Sequence, residues 1–460
     1  MMPDLMEKLA SLCKRRGFIF PDSEIYGGFA NTWDYGPLGV ELKNNLKAAW
    51  WRHFVTSRSD MVGIDTAVIM NPKAWEASGH LANFTDPLVE CKSCHKRFRA
   101  DHLLEAINAE PKHEKVPLPD LAKLRCPECG GELTEVRQFN LMFKTLVGPV
   151  EDAGSVAYLR PELAAGMFTN FKNVQQSLRL KLPFGIAQIG RAFRNEITTG
   201  NFIFRTREFE IAEFEYFIKP SEWQPLFEMW RGEIEKWWRD VIRVKMENLV
   251  WHDLDPKDRA FYSQRTIDVE YRYPFGTREL HGFAYRTDYD LSRHEKMSGE
   301  SLRYEDPASG EKFVPHVLEP SFGVDRMILV ALLEAYEEVE PRSGSRETKE
   351  KHEKEIVMRF PKALAPVKVA VLPLSKKESL GAVAEEIART LRPQWVVQYD
   401  EIGSIGKRYR RQDEIGTPYC VTVDFESLED KKVTVRDRDT MTQDRVAMAE
   451  LVEYLREKLN

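Results

Sequence analysis

Several familiar features are missing from this chain of 460 residues. It has no apolar run long enough to cross a bilayer, and its N-terminus places a basic cluster after a short mixed stretch, unlike a secretory signal. It also lacks a P-loop, and it has no GxGxxG turn between a strand and a helix. Two widespread nucleotide-binding folds are thereby excluded. Together with the length, these absences lead us to expect a cytosolic protein of two or three domains.

Excess positive charge is also absent, since the net charge is −6. The total charge therefore does not indicate a nucleic-acid partner, although large RNA-binding enzymes confine positive charge to one face. Charged residues nevertheless make up 30% of the chain and apolar residues 42%. This balance is typical of well-packed globular domains.

Cysteine is scarce, and four of the six cysteines form two CxxC pairs. Cys91 and Cys94 are separated from Cys126 and Cys129 by 31 residues, and Gly130-Gly131 follows the second pair. This spacing predicts a closed structural zinc site with four thiolate ligands. The alternative is a set of reduced, buried cysteines.

The hydrophobic pattern changes along the chain. Segments 202–218 and 265–273 read as strands with one polar face, which predicts an antiparallel sheet flanked by helices. A charged stretch at 337–355 is typical of a linker. Beyond it, strands and helices alternate and end in a helix from Ala447, which predicts a separate C-terminal α/β domain. The expected fold class is therefore α+β.

One charged segment, from Phe193 to Glu215, carries the strongest chemical signal. Side chains two apart in a strand share a face, so Arg194 and Glu196 point the same way. On the second stretch one face gathers Arg207, Phe209, Ile211, Glu213 and Glu215. If the stretches pair as a hairpin, this surface requires a charged partner, such as a nucleotide with an amino acid. The alternative is a solvent-facing pair of strands with cross-strand salt bridges.

These residues resemble the second signature of the class II aminoacyl-tRNA synthetases, Phe-Arg-x-Glu, loop, Phe-x-x-x-acid. A third signature, a glycine and an arginine at the start of a helix, is matched by the segment from Glu319 to Arg326. There Arg326 falls in the first helical turn, where backbone amides favour phosphate. The first signature, which builds a dimer interface, is matched by 62–70 ending at Pro72.

Within this class the chain resembles the homodimeric, single-polypeptide glycyl-tRNA synthetases. The matching words lie at 26–39, 160–162, 258–262, 287–291 and 406–418. The resemblance implies ATP with Mg²⁺, glycine and tRNA(Gly) as ligands and glycyl-adenylate as the intermediate. It also implies five segments: core residues 1–88, a zinc-ribbon-like insertion at 89–135, core residues 136–340, a linker at 341–362 and an anticodon-binding domain at 363–460.

The resemblance also implies site residues. Arg194, Glu196 and Arg326 are the expected catalytic residues. The expected ATP site comprises Arg194, Asn195, Glu196, Phe204, Arg205, Thr206, Arg207, Glu208, Phe209, Glu279, Leu280, Gly323, Val324, Asp325 and Arg326. The expected glycine site comprises Arg99, Glu162, Phe209, Glu210, Ile211, Ala212, Glu213, Glu319, Pro320, Ser321, Phe322 and Gly323. Glu279 and Glu319 are the expected Mg²⁺ ligands.

Two alternatives remain open. A related synthetase specific for threonine, proline or histidine would share the fold, and a catalytically inactive relative would serve as a nucleic-acid-binding accessory subunit. In the last domain a basic cluster contains Lys407, Arg408, Arg410 and Arg411. By itself such a cluster is more often a solvated face than an RNA site, but the resemblance favours anticodon recognition through unstacked bases.

Overall fold

The computed structural model describes residues 3–108, 125–150, 153–340 and 354–459. In these ranges no helix combines the length and apolar character needed to cross a membrane. Residues 109–124 of the predicted insertion and 341–353 of the predicted linker lie outside the described residues.

The elements before and within the cysteine-containing segment include helices, and only strands of six residues or fewer. They are α1 (Pro3–Arg16), β1 (Ile19–Pro21), β2 (Trp33–Tyr35), α2 (Pro37–Trp51), β3 (Met61–Gly63), β4 (Ile69–Met70), α3 (Pro72–Ser78), α4 (His80–Asn83), β5 (Thr85–Glu90), β6 (Arg97–Arg99), α5 (Ala100–Asn108) and β7 (Arg137–Asn140). Strand β5 pairs with both β6 and β7 in antiparallel fashion. The chain therefore enters and leaves the cysteine-containing segment through adjacent strands.

The central part of the chain supplies the long strands. Its elements are β8 (Lys144–Leu146), β9 (Val156–Leu159), α6 (Ala164–Thr169), α7 (Phe171–Leu178), β10 (Phe184–Phe193), β11 (Glu208–Ile218), α8 (Trp223–Lys236), β12 (Leu249–Asp253), β13 (Arg265–Tyr273), β14 (Gly276–Thr287), α9 (Tyr289–Ser298), β15 (Tyr304–Glu305), β16 (Lys312–Phe313), β17 (His316–Gly323), α10 (Val324–Ala335) and β18 (Tyr336–Val339). The predicted strand at 265–273 is confirmed. The one predicted at 202–218 begins only at Glu208, because residues 202–204 form a helical turn.

A seven-stranded sheet runs in the order β12-β13-β14-β17-β11-β10-β3. Its neighbouring strands are antiparallel, apart from the parallel pair of β10 and β3. The predicted antiparallel sheet is therefore confirmed.

Alternation along β11 gives the sheet two different faces. Ala212, Phe214 and Tyr216 belong to a large core that also contains residues of α2, α8 and α10. Ile211 and Phe217 belong to a smaller core with residues of α6 and α7 on the other face. The predicted face containing Phe209, Ile211, Glu213 and Glu215 is this second face, because side chains in a strand alternate with period two.

The last elements are β19 (Glu355–Met358), β20 (Val369–Pro373), α11 (Glu378–Leu391), β21 (Val397–Tyr399), α12 (Ile405–Ile415), β22 (Tyr419–Val423), α13 (Glu426–Asp430), β23 (Lys432–Asp437), β24 (Gln443–Ala447) and α14 (Leu451–Leu459). A mixed sheet in the order β21-β20-β22-β23-β24 confirms the C-terminal α/β fold. The closing helix begins at Leu451 rather than Ala447, because Ala447 ends an edge strand. Strand β19 lies within the predicted linker and pairs with β18. This part of the predicted linker therefore belongs to a two-stranded sheet.

Candidate active site

A pocket opens on the α6 and α7 face of the large sheet. Its walls combine arginines, carboxylates and apolar rings: Arg194, Glu196, Ile203, Phe204, Arg205, Thr206, Phe209, Ile211, Glu279, Leu280, His281, Ser321, Gly323, Asp325 and Arg326. The hairpin of β10 and β11 builds one wall, with Phe193 opposite Glu208. Beyond β10, the Arg194 amide donates to the Arg207 carbonyl at 2.9 Å. The predicted hairpin is therefore confirmed.

The pocket contains arginines without carboxylate partners. Among the described residues, neither Arg194 nor Arg205 lies within ion-pair distance of a carboxylate. Burial and the charges of Arg326 and Arg99 lower the pKa of Arg205, against the opposing charge of Glu196. Guanidinium groups stay protonated in proteins, so this concentration of positive charge requires an anion.

Arg326 is held by three contacts at the start of α10. Its Nη1 donates to the Glu279 carbonyl at 2.9 Å, its Nε donates to the Phe204 carbonyl at 3.3 Å, and its guanidinium carbon lies 4.5 Å from the Phe204 ring centroid. Nη1 also lies 3.4 Å from Glu279 Oε2. Desolvation raises the pKa of Glu279, but Arg326, Arg194 and Arg205 lower it overall. Glu279 is therefore ionised beside the arginines.

An aromatic ring and an orphan carboxylate oxygen complete this part of the pocket. The Arg194 guanidinium carbon lies 5.4 Å from the centroid of Phe209, so ring and cation contact each other. Glu196 is buried, and its Oε2 has no hydrogen-bond partner among the described residues. A flat ring beside a free acceptor suits a purine base with an exocyclic amino group.

A second group of carboxylates lies further along β11 and β17. Glu213 stands opposite Ser321 in the register, and the Ser321 side chain works to lower the pKa of Glu213. One carboxylate oxygen from each of Glu213, Glu215 and Glu319 lies within 4.8 Å of the others, and all three residues are buried. Glu162 is also buried, and the Leu163 amide next to it donates to Glu213 Oε2 at 3.0 Å. Four acidic side chains thus surround one small volume.

The charge of this group is only partly balanced by protein. Arg286 is buried and donates to Glu319 at 2.6 Å and to both oxygens of Asp290 at 2.8 and 2.9 Å. Burial raises the pKa of Glu213, of Glu215 and of Glu319, and neighbouring carboxylates raise each further. Burial and mutual repulsion thus disfavour the ionised forms of these carboxyls, and a small cationic ligand would stabilise them.

The two expected Mg²⁺ ligands lie apart. Glu319 stands opposite Ala284, five residues along β14 from Glu279, which is about 17 Å along the strand at the usual rise of an antiparallel strand. Glu319 is moreover engaged by Arg286. Glu279 instead stands opposite Glu270, and burial together with the charges of Glu279 and Glu270 raises the pKa of Asp268 to about 7.

Several expected site residues point away from the pocket because neighbouring side chains in a strand alternate. Glu210 binds Lys43 and Lys47 at 2.9 Å each on the opposite face, and Ala212 and Phe322 lie in the large core. Pro320 shares the parity of Phe322, Val324 is buried in the same core, and Glu208 pairs with Arg191 at the surface. The Asn195 amide donates to the Leu141 carbonyl at 2.7 Å, and Arg207 Nε donates to the Glu196 carbonyl at 3.2 Å.

Arg99 reaches the edge of the site from β6. It contacts Asp86 at 2.9 Å and Asp101 at 2.6 Å. Burial works to lower its pKa, but the hydrogen bond to Asp101 and the charges of Asp86, Asp101 and Glu196 raise it overall. The charge of Glu196 is therefore felt at Arg99, although nearer carboxylates hold the guanidinium.

The four predicted cysteine ligands converge. Their sulfur atoms lie within 4.8 Å of one another, with Cys91 Sγ 3.5 Å from Cys129 Sγ and Cys94 Sγ 3.8 Å from Cys126 Sγ. Tetrahedral zinc with Zn–S bonds of about 2.3 Å requires sulfur separations of about 3.8 Å. A Cβ on Gly131 would stand 3.0 Å from Cys91 Sγ and 2.5 Å from Ser93 Oγ. The cluster therefore fits zinc, and residue 131 must be small.

The basic cluster of the last domain divides between structure and surface. Arg408 is buried and donates to the carbonyls of Gly403 and Pro373, while Arg411 pairs with Asp400. Lys407 and Arg410 are exposed on α12. Arg410 Nε also lies 3.5 Å from Glu414 Oε1, and Arg411 keeps 29% of its side chain exposed, so Arg408 is the one of the four cations that is closed to a ligand.

Five further residues of the site were missed by sequence reasoning. Asp290 lies within the matching segment 287–291, and Arg286 directly precedes it. Asp268 and Glu270 share one face of β13, which is a weak signal of a site. No local pattern around His80 indicated a site, because the residue it contacts, Glu162, is far away in the sequence.

With this geometry established, known proteins can be compared. Residues 149–336 match the family described as tRNA synthetase class II core domain (G, H, P, S and T), and residues 368–458 match the anticodon binding domain. A prolyl-tRNA synthetase from Cryptosporidium parvum, complexed with halofuginone and AMPPNP, superposes with a TM-score of 0.64 at 14% identity, covering 100% of this chain and 78% of the other. The fold and site thus define a class II aminoacyl-tRNA synthetase core joined to an anticodon-binding domain.

Similar sequences identify the family within this class of synthetases. Glycine–tRNA ligase of Thermobifida fusca is 53% identical over 99% of this chain and 98% of its own length. Glycine–tRNA ligase of Streptomyces coelicolor is 53% identical over 100% and 99%. The chain belongs to the glycine–tRNA ligase family.

Proposed function

We propose that this chain activates glycine with ATP and transfers the glycyl group to the 3′ end of tRNA(Gly). The observation that carries the proposal is the division of the site into two parts of opposite charge. One part holds unpaired arginines beside Phe209, and the other holds four buried acidic groups. ATP supplies the anion that the first part requires, and the glycine ammonium supplies the cation for the second.

The arginines account for the first step. A glycine carboxylate oxygen attacks the α-phosphorus of ATP, and the bond from that phosphorus to the leaving pyrophosphate breaks. Arg194 and Arg205 stabilise the negative charge that builds on the phosphates, and Arg326 holds the far end of the triphosphate. Phe209 stacks on adenine, and Glu196 accepts from its amino group or meets the tRNA end.

The second step needs no protein nucleophile. A hydroxyl of the terminal ribose attacks the glycyl carbonyl, the bond between that carbon and the AMP oxygen breaks, and the hydroxyl proton passes to the departing AMP phosphate. The chain contributes by holding both reactants in contact, since positioning alone lowers such barriers substantially.

Selectivity for glycine follows from crowding. Glu162, Glu213 and Ser321 surround the ammonium, and Glu319 is held rigidly by Arg286. A ligand with a side chain would have to displace these groups, which are held by His80, the Leu163 amide and Arg286. Glu319 therefore fits the amino-acid pocket better than a metal site. Glu279 fits Mg²⁺ accompanying ATP, because it is an ionised carboxylate beside the arginines.

Zinc binding by the cysteine cluster also belongs to this proposal, with a structural role near the tRNA acceptor end. Lys407 and Arg410 are the candidates for contacts to the anticodon. We further propose a homodimer, with 62–70 at its interface, and a cytoplasmic location, where tRNA is charged for translation.

Pyrophosphate exchange into ATP tests the main proposal. We expect exchange with glycine and none with threonine, proline or histidine, followed by glycylation of tRNA(Gly). Exchange with another of these amino acids but not with glycine would refute the assignment. Absence of exchange with any of them would instead support an accessory subunit. Zinc is tested by metal analysis of protein purified without chelators, where absence of the metal contradicts the cysteine assignment.

A further inference from the structure

A buried histidine contacts the amino-acid pocket from outside. His80 is the first residue of α4 and is 4% exposed. Its Nε2 lies 3.2 Å from Glu162 Oε2, and its Nδ1 lies 2.7 Å from Ser78 Oγ. Ser78 Oγ also lies 3.2 Å from the Trp75 carbonyl. The carbonyl, the hydroxyl, the imidazole and the carboxylate thus form one continuous chain of contacts.

The contacts of Ser78 limit the protonation of this ring. If the hydroxyl donates to Nδ1, a neutral ring carries its proton on Nε2. Burial works to raise the pKa of Glu162, but the contact with His80 and the charges of Arg286 and Arg194 lower it to about 2. An ionised carboxylate only accepts hydrogen bonds, so the hydrogen of the contact with Glu162 Oε2 is carried by His80 Nε2.

The ring cannot easily leave this position. The Trp75 ring meets it edge-on at a centroid distance of 5.7 Å, and the Phe84 ring lies 5.4 Å away. Asn140 Nδ2 donates to the His80 carbonyl at 3.2 Å, which fixes the backbone at the same point. His80 is therefore a rigid donor rather than a mobile side chain.

The other oxygen of Glu162 is the one left for a ligand. Glu162 Oε1 is buried and has no hydrogen-bond partner among the described residues. We propose that His80 is a positioning residue, which holds Glu162 Oε2 so that Oε1 faces the ammonium of the amino-acid substrate. This inference rests on the proposed function, because it assigns a partner to one of the groups that bind glycine.

Replacement of His80 by asparagine and by glutamine tests the inference in the full-length protein. The glutamine amide nitrogen reaches the position of Nε2, whereas that of asparagine reaches only the position of Nδ1. We expect His80→Asn to raise the KM for glycine in pyrophosphate exchange about tenfold or more, with the KM for ATP changed less than about twofold. His80→Gln should recover a large part of this loss. His53→Asn is the matched control, since His53 Nε2 contacts the Glu233 carbonyl at 3.3 Å on the other face of the sheet.

Three outcomes would overturn the inference. These are an unchanged KM for glycine in His80→Asn, equal increases in both KM values, and no difference between the asparagine and glutamine variants. If neither variant folds, Ser78→Ala provides the test, because it frees the ring and should raise the KM for glycine alone. Wild-type protein without glycine-dependent exchange would refute the proposed function, whereas active wild-type with unaffected variants would refute only the role of His80.

Discussion

Arg205 offers a direct test of the site, because the structure separates its contribution to binding from its contribution to folding. Among the described residues its guanidinium has no ion-pair partner, and burial with the charges of Arg326 and Arg99 lowers its pKa. Its backbone does have structural contacts, because its carbonyl accepts from Asn31 Nδ2 at 2.7 Å and its amide donates to Gly200. A change of side chain leaves both backbone contacts in place.

The expected loss of activity and the expected change in stability follow from these contacts. Arg205→Ala removes one preorganised donor to the phosphates, which costs about 100- to 1000-fold in rate, or about 2.7–4 kcal/mol. The free energy of unfolding should change by no more than about 0.5 kcal/mol, because no protein partner is lost and repulsion with Arg326 is relieved. The melting temperature should therefore move by about 2 °C or less.

The assay is glycine-dependent pyrophosphate exchange with ATP varied, together with thermal unfolding of the same samples. Arg205→Lys keeps the charge but not the forked donor geometry, so its activity should lie between those of wild type and the alanine variant. Arg239→Ala, at an exposed arginine beside Asp240, is the control. Exchange within about threefold of wild type in Arg205→Ala would refute the reasoning. Loss of activity accompanied by a large fall in melting temperature would refute it equally.

Three other predictions concern the metal cluster, the last domain and acid stability. Gly131→Ala should lower the zinc content measured by metal analysis, because the added Cβ stands 3.0 Å from Cys91 Sγ; Gly232→Ala in α8 is the control, since its Cβ would meet nothing within 4 Å and its φ is not positive. Asp413→Asn should cost about 3–5 kcal/mol in urea unfolding, because it leaves Arg436, 4% exposed and bonded at 2.9 Å, without its buried partner. Asp240→Asn at the surface should leave the urea unfolding curve nearly unchanged, and equal losses of stability in the two variants would contradict the burial argument. Glu162 has a folded-state pKa of about 2, lowered from 4.5, so its ionisation stabilises the folded protein above pH 4.5 and this stabilisation is lost as the pH falls towards 2. The stability difference between wild type and Glu162→Gln, measured by denaturant unfolding, should therefore shrink as the pH falls below 4.5, and a constant difference would contradict this assignment.

Local periodicity was sufficient to predict which side chains of the central hairpin share a face. Strand alternation predicted that Phe209, Ile211, Glu213 and Glu215 share one face, and the two cores of the sheet confirm it. The same rule excludes Glu210 and Ala212 from that face, although resemblance placed them in the glycine site. Period-two geometry is set by the backbone of a single strand, so sequence alone can determine it.

The convergence of distant residues was decided only by the tertiary structure. Glu279 and Glu319 appeared equivalent as metal ligands, but the register of β14 against β17 separates them and gives Glu319 to Arg286. His80 and Glu162 meet because α4 packs beside the segment after β9, a contact that no local pattern encodes. The sequence by itself therefore determined the class of site, its charged motifs and the cysteine pairs. Sheet order and packing decided which charges are compensated by protein and which remain for ligands, because electrostatic partners are chosen by distance in space.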